Sequence, residues 1–153
     1  PVVGQQVGVI GYGGIGQHLA PLVRALGMRI VGVSQSAPAI REGVEVWPPS
    51  RLDEVLQTSD HLVLCLPLTA DTVGFIDGER LARVKPGAFF YNVSRGELVE
   101  ETALLEALRT GRLAGAALDV FRREPLPPDN PLWSQPNVIV TPHVAGHYRG
   151  LRE

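Results

Sequence analysis

The stretch Gly11-Tyr12-Gly13-Gly14-Ile15-Gly16 lies between an apolar run, Gln6–Ile10, and a segment with helical periodicity, Gly14–Leu26. Few folds place three glycines at this spacing between a strand and a helix. The first glycine permits a tight turn, the second lets the backbone approach a ligand, and the third allows close helix–strand packing. Amides near Gly14 and Ile15 would then point outward from a helix N-terminus, which suits the anionic pyrophosphate of a dinucleotide. The motif predicts a cofactor turn built from Gly11, Gly13, Gly14, Ile15 and Gly16. A glycine turn of purely structural purpose is the alternative, and the strand–turn–helix context weighs against it.

Strand-like and helix-like segments alternate along the rest of the chain, the pattern of βαβ units and a parallel sheet. Within Gly14–Leu26, the periodicity puts Ile15, Leu19, Leu22, Val23 and Leu26 on one face, with a bend expected at Pro21 and a stop at Gly27. Met28–Val33 reads as the second strand. Ser50 is expected to cap a helix over Leu52–Leu56, with Asp53 answering as in a capping box. His61–Leu66 is a third strand, too apolar to be solvated on either face, and Asp77 caps a short helix running to about Val84. Ala88–Val93 is a fourth strand, and Glu100–Arg109 an amphipathic helix with Leu104, Leu105 and Leu108 inward and Gly111 as its stop. Leu113–Leu118 and Asn137–Val140 are the last strands, joined by Glu124–Pro136, whose five prolines mark a surface connection. The predicted architecture is a single α/β domain over residues 1–153, a Rossmann-type doubly wound parallel sheet in three α/β/α layers.

Bulk properties exclude several classes. A net charge of −2 and the lack of any basic run argue against nucleic-acid binding. No apolar stretch has the length to span a bilayer, and the N-terminus lacks the pattern of a leader, so a soluble, cytoplasmic protein with no membrane partner is expected. The single cysteine, Cys65, reads as a small buried apolar side chain. The histidines are too scattered for a metal site, and His18, His61 and His147 read as structural or surface residues. The chain begins almost directly in a strand and stops soon after its last candidate site residue, as a piece of a longer protein would.

Three further residues lie just past strand-like runs: Arg95 in Asn92-Val93-Ser94-Arg95-Gly96, Glu124 in Asp119-Val120-Phe121-Arg122-Arg123-Glu124-Pro125, and His143 in Thr141-Pro142-His143-Val144-Ala145-Gly146. In an open parallel sheet the carboxyl ends of the strands face the ligand crevice. A cation, a carboxylate and an imidazole are therefore expected to converge beside the cofactor, a set suited to acid–base chemistry on an anionic substrate. At the end of the second strand, Ser34, Gln35 and Ser36 stand where a ribose-binding carboxylate is expected. Hydroxyl and amide groups accept a 2′-phosphate that a carboxylate would repel. This slightly favours NADP(H) over NAD(H), with Arg41 a distant phosphate partner.

The chain resembles the nucleotide-binding domain of the D-isomer-specific 2-hydroxyacid dehydrogenases over essentially its whole length. The resemblance rests on the glycine turn, Leu66-Pro67-Leu68-Thr69, Lys85-Pro86-Gly87-Ala88, Asn92–Val99, Gly111–Phe121, Glu124-Pro125 and Pro142-His143, in order and with family-like spacing. It implies a two-domain enzyme, usually a homodimer, that transfers a hydride between NAD(P)H and a small 2-keto or 2-hydroxy acid. It also implies that His143 is the general acid and base, that Glu124 orients it, that Arg95 grips the substrate carboxylate, and that Pro67 and Asp119 lie at the cofactor, Asp119 at the nicotinamide carboxamide. Ser34 and Gln35 depart from the family pattern and bear on cofactor choice. A dinucleotide sensor without turnover, as in corepressors that resemble this family, is the alternative.

Overall fold

A computed structural model describes residues 1–36, 39–41 and 43–146, without the side chains of Ala39 and Arg41. In chain order the elements are β1 (Gln6–Ile10), α1 (Gly14–Ala25), β2 (Arg29–Val33), β3 (Ala39–Arg41), β4 (Val44–Trp47), α2 (Leu52–Thr58), β5 (His61–Leu64), α3 (Gly78–Arg83), β6 (Ala88–Asn92), α4 (Glu101–Arg109), β7 (Leu113–Leu118) and β8 (Val138–Val140). The strands form one sheet in the order β3-β4-β2-β1-β5-β6-β7-β8, parallel throughout except where β3 runs against β4. Chain order runs outward from β1 toward β4 and then restarts at β5 on its other side. The loops after β1 and β5 therefore diverge and leave a crevice at the carboxyl edge. The doubly wound α/β fold expected from the sequence is the fold observed.

One apolar core, including Leu62, Leu64, Phe90, Leu104 and Leu113, lies between the sheet and the helices α2, α3 and α4. A smaller one, with Val7, Val9, Tyr12, Ala20, Val23 and Val46, lies beneath α1. On the side of α1, β6 and β8 expose Phe89 and Ile139, because strand alternation sends Phe90, Val138 and Val140 to the other core.

The face of α1 differs from the one expected. Gly16, Ala20 and Val23 are buried, whereas Ile15, Leu22 and Leu26 are more than half exposed. The cause is Tyr12, fully buried beneath the helix: a Cβ on Gly16 would lie 2.8 Å from its ring, and one on Gly32 of β2 would lie 2.5 Å away. A helix pressed against a tyrosine turns its small side chains to the sheet. Pro21 lies inside this helix.

Ser50 does not cap α2. The chain enters through a 3₁₀ turn, Pro49–Arg51, and the cap position falls to Arg51, without a side-chain cap bond. Arg51 instead bonds Glu54 through both forks, at 2.7 and 2.9 Å, and stacks over Trp47. The expected caps elsewhere form. Asp77 accepts the Arg80 amide at 2.8 Å, and Gly111 takes φ +74° after α4, whose Leu104, Leu105 and Leu108 are buried. The sequence reading misses β3 and β4, a short hairpin at the sheet edge, and runs β2, β5, β6 and β8 one or two residues too long. Glu124–Pro136 includes a 3₁₀ turn, Pro131–Ser134, capped by Asn130, and it buries Leu126 and Leu132, so it is not wholly a surface connection.

Candidate functional site at the carboxyl edge of the sheet

The glycine turn is tied down before it opens to solvent. The amides of Gly11 and Tyr12 both donate to Val33 O at the end of β2, at 3.0 and 2.8 Å. Gly11 adopts φ +93°, and a Cβ there would lie 2.8 Å from the Cys65–Leu66 backbone that follows β5. Close approach and left-handed backbone together require glycine. A Cβ on Gly13 or Gly14 would meet nothing within 4 Å. The space over the start of α1 is open, and a pyrophosphate fits there against helix N-terminal amides.

At the end of β2, the Ser34 amide donates to Trp47 O at 3.0 Å, and the Ser34 hydroxyl lies 3.0 Å from that of Ser36. Gln35 and Ser36 are exposed. No carboxylate occupies the strand end itself. The side chain of Arg41 lies outside the described residues, as does His147.

Past β6, the loop bearing Arg95 is built on Asn92, which is 1% exposed. Its Oδ1 accepts the Ser94 amide at 3.0 Å, and its Nδ2 donates to Arg95 O at 2.9 Å. The Ser94 hydroxyl donates to Leu66 O, tying this loop to the one that carries Pro67 after β5. Gly96 seats the loop against its neighbour, since a Cβ there would come within 2.0–2.4 Å of the Phe121–Arg122 backbone. Arg95 itself is exposed, with Nη1 donating to Ser94 O at 2.6 Å.

The ends of β7 and β8 bring Asp119, Glu124 and His143 into one network. His143 Nδ1 lies 2.7 Å from Glu124 Oε2, and Glu124 Oε1 accepts the Phe121 amide at 2.9 Å. The hydrogen bond with His143 is the main cause that holds the Glu124 carboxyl below its ordinary value, with the Phe121 amide helping against desolvation. A carboxylate at one ring nitrogen fixes the tautomer and orientation of an imidazole and leaves its other nitrogen for substrate. An apolar cleft of about 510 Å³ opens beside the pair, walled by Phe121, Leu126, Trp133, Val140 and Pro142. Asp119 is 4% exposed and accepts hydrogen bonds from Thr141, Val144 and Ala145. Burial works against its charge, yet these donors and His143 outweigh it and hold the carboxyl below its ordinary value.

Glu124 and His143 are thus joined directly, with Asp119 beneath them. The Arg95 loop adjoins through Gly96 and through a 3.1 Å bond from the Asp119 amide to Asn92 O. The supporting roles of Asn92, Ser94 and Thr141 are not part of the sequence reading. The available signal is a polar residue ending or following an apolar strand, as in Phe90-Tyr91-Asn92 and Ile139-Val140-Thr141.

The remaining candidates fall elsewhere. His61 bridges Tyr91 Oη at 2.9 Å and Gln5 Oε1 at 2.7 Å and stacks on Phe89, at the opposite edge of the sheet. Burial lowers its pKa. His18 lies 2.8 Å from Gly14 O. Burial pushes the Cys65 thiol up to about 11, so it is no nucleophile near neutral pH. Among the described residues no helix is long and apolar enough to cross a membrane.

Comparison with known proteins shows which family shares this sequence and fold. A family model described as D-isomer specific 2-hydroxyacid dehydrogenase, NAD binding domain, matches residues 1–145. A glyoxylate reductase of Thermococcus onnurineus is 42% identical over 155 residues, which cover 99% of this chain and 45% of that protein. The chain therefore spans a little under half the length of that relative. An NADPH-dependent glyoxylate/hydroxypyruvate reductase from Sinorhizobium meliloti, solved in apo form, superposes with a TM-score of 0.89 at 41% identity, covering 94% of this chain and 58% of the other. A D-isomer specific 2-hydroxyacid dehydrogenase from Xanthobacter autotrophicus, in complex with NADPH and MES, gives 0.87 at 44% identity, covering 92% and 44%. The chain belongs to the D-isomer specific 2-hydroxyacid dehydrogenase family and corresponds to its NAD-binding domain.

Proposed function

We propose that residues 1–153 form the dinucleotide-binding domain of a two-domain, NAD(P)H-dependent reductase of small 2-keto acids, acting in reverse on D-2-hydroxy acids. The observation that carries this reading is the 2.7 Å His143–Glu124 pair on the same sheet edge as the open glycine turn. When bound, the nicotinamide supplies the hydride that adds to C2 of the keto acid.

The side chains of this domain do the rest. Arg95, exposed on its locked loop, offers a planar fork to the substrate carboxylate. His143 donates a proton to the carbonyl oxygen as the C–O double bond is reduced, and takes it back in the oxidative direction. Glu124 orients the ring and offsets the positive charge of the protonated imidazole. Gly13 and Gly14 leave open space where the pyrophosphate would lie, and Ser34, Gln35 and Ser36, at the end of β2, would meet the adenosine ribose. The absence of a carboxylate among those three favours NADP(H) slightly. Asp119 has one hydrogen bond at Oδ2, which leaves that oxygen capacity to accept from a carboxamide as well. The outward Ile15, Leu22 and Leu26 of α1 offer an apolar face that a companion domain or the second subunit of a homodimer would cover.

A chimera tests the proposal: these residues replace the matching segment of the Thermococcus onnurineus glyoxylate reductase. Oxidation of NADPH or NADH that depends on a 2-keto acid is the expected result. A folded chimera that binds the dinucleotide yet reduces neither glyoxylate, hydroxypyruvate nor larger 2-keto acids would overturn it.

A further inference from the structure

Asp119 spends more hydrogen bonds on one short loop than capping a strand end requires. Its main-chain O accepts the His143 amide at 2.8 Å. Its Oδ1 accepts the Thr141 hydroxyl and the Val144 amide, the latter at 3.0 Å, and its Oδ2 accepts the Ala145 amide at 2.8 Å. Four donors within residues 141–145 thus converge on one residue that is 4% exposed. Between them His143 adopts φ +55°, the one described non-glycine residue in the left-handed region. That conformation is disfavoured for a side chain with a Cβ and persists where the surroundings over-determine it.

We propose that Asp119 is a positioning residue for proton transfer: its carboxylate closes the left-handed turn that carries the His143 imidazole to Glu124. The proposal rests on the reading of His143 as proton donor, but its structural content stands in this domain alone.

The chemistry of the donors specifies a carboxylate. Both oxygens accept and neither donates, so an asparagine in the same place would set its NH₂ group against at least one N–H or hydroxyl donor. Burying a charge is unfavourable unless hydrogen bonds replace its hydration, and here three side-chain bonds do so. The Asp119 amide also donates to Asn92 O at 3.1 Å, so the turn is referenced to the strand that carries the Arg95 loop. The donors to its carboxylate come from residues on both sides of His143 in the chain, whose imidazole meets Glu124.

Solution NMR on this chain tests the proposal without turnover. The proton bridging His143 Nδ1 and Glu124 is identified as the downfield imidazole resonance that His143→Ala removes. In Asp119→Asn this resonance should vanish, and the Val144 and Ala145 amides should exchange with solvent at least about tenfold faster. Amides elsewhere in the sheet, such as those of Phe89, bonded to Asp60 O, and Ala116, bonded to Asn137 O, should keep their protection. Thr141→Val removes only the hydroxyl donor and should move both signals in the same direction by less; it decides the matter if Asp119→Asn does not fold. A bridging resonance that keeps its position and intensity in the folded variant overturns the proposal. Failure of the chimera to turn over with this turn intact would count against the proposed activity alone.

Discussion

Glu124 engages His143 at Nδ1 alone, 2.7 Å from its Oε2, while its other oxygen is fixed by the Phe121 amide. The carboxylate is therefore held at both ends, and the ring can rotate only by breaking a charge-assisted bond.

The pH dependence of reduction follows from that pair. The hydrogen bond with His143 lowers the Glu124 pKa, so the carboxyl is ionised throughout the neutral range. That anion at Nδ1 offsets the positive charge of the ring in the form that donates the proton. Glu124→Gln keeps a hydrogen-bonding group but removes the anion, so kcat for keto-acid reduction should fall. The acid limb of the kcat profile, where the Glu124 carboxylate takes up a proton as pH falls, should disappear. An unmoved limb in the two-domain protein would remove Glu124 from the proton path.

Cofactor choice should turn on Ser34. NADPH is expected to bind this chain at least as tightly as NADH, and Ser34→Asp to swing the preference toward NADH by restoring a ribose acceptor and repelling the 2′-phosphate. Isothermal titration of both dinucleotides into both chains measures this. A strong NADH preference in the unmodified chain would contradict the assignment of the β2 end.

Two glycine substitutions should separate folding from binding. Gly96→Ala drives a methyl group into the Phe121–Arg122 backbone and should destabilise the fold by about 3 kcal/mol or more. Gly13→Ala meets nothing within 4 Å, so its melting temperature should hardly change. Its methyl group instead enters the open space proposed for the pyrophosphate, and dinucleotide affinity should fall by at least about tenfold. Equal stabilities, or equal affinities, for Gly13→Ala and Gly96→Ala would contradict these placements.

The alternating elements and the glycine turn were legible because they depend on local pattern: period-two runs, a 3.6-residue stripe and a motif with fixed spacing. The order of Arg95, Glu124 and His143 at strand ends was legible for the same reason. The orientation of α1 was not, because Ile15, Leu22 and Leu26 look inward by periodicity until Tyr12 is known to lie beneath Gly16. The strands Ala39–Arg41 and Val44–Trp47 were hidden by their length, too short for any periodicity to stand out. The links that set the site, from Asn92 to the Arg95 loop and from Asp119 to Thr141, Val144 and Ala145, join residues through the fold and leave no spacing to read.

The isolated chain should bind NADPH or NADH yet turn over glyoxylate or hydroxypyruvate negligibly. The glycine turn proposed for the pyrophosphate lies within it, but hydride transfer needs a second wall to fix the substrate and exclude water. Brisk oxidation of NADPH by the domain alone, in a stopped-flow or steady-state assay, would show that the site is complete without a companion.

The most direct test of the account is His143→Ala in the two-domain protein, with kcat and dinucleotide Kd measured on the same preparation. Proton delivery is the single step given to this side chain, and the proposed pyrophosphate site is the glycine turn after β1, at a different strand end from His143. The kcat should fall by roughly 10²–10⁴-fold, the usual contribution of a positioned general acid, with Kd for NADPH unchanged. A variant with near-normal kcat, or one whose loss comes wholly from weakened dinucleotide binding, would contradict the assignment of His143 as the proton donor.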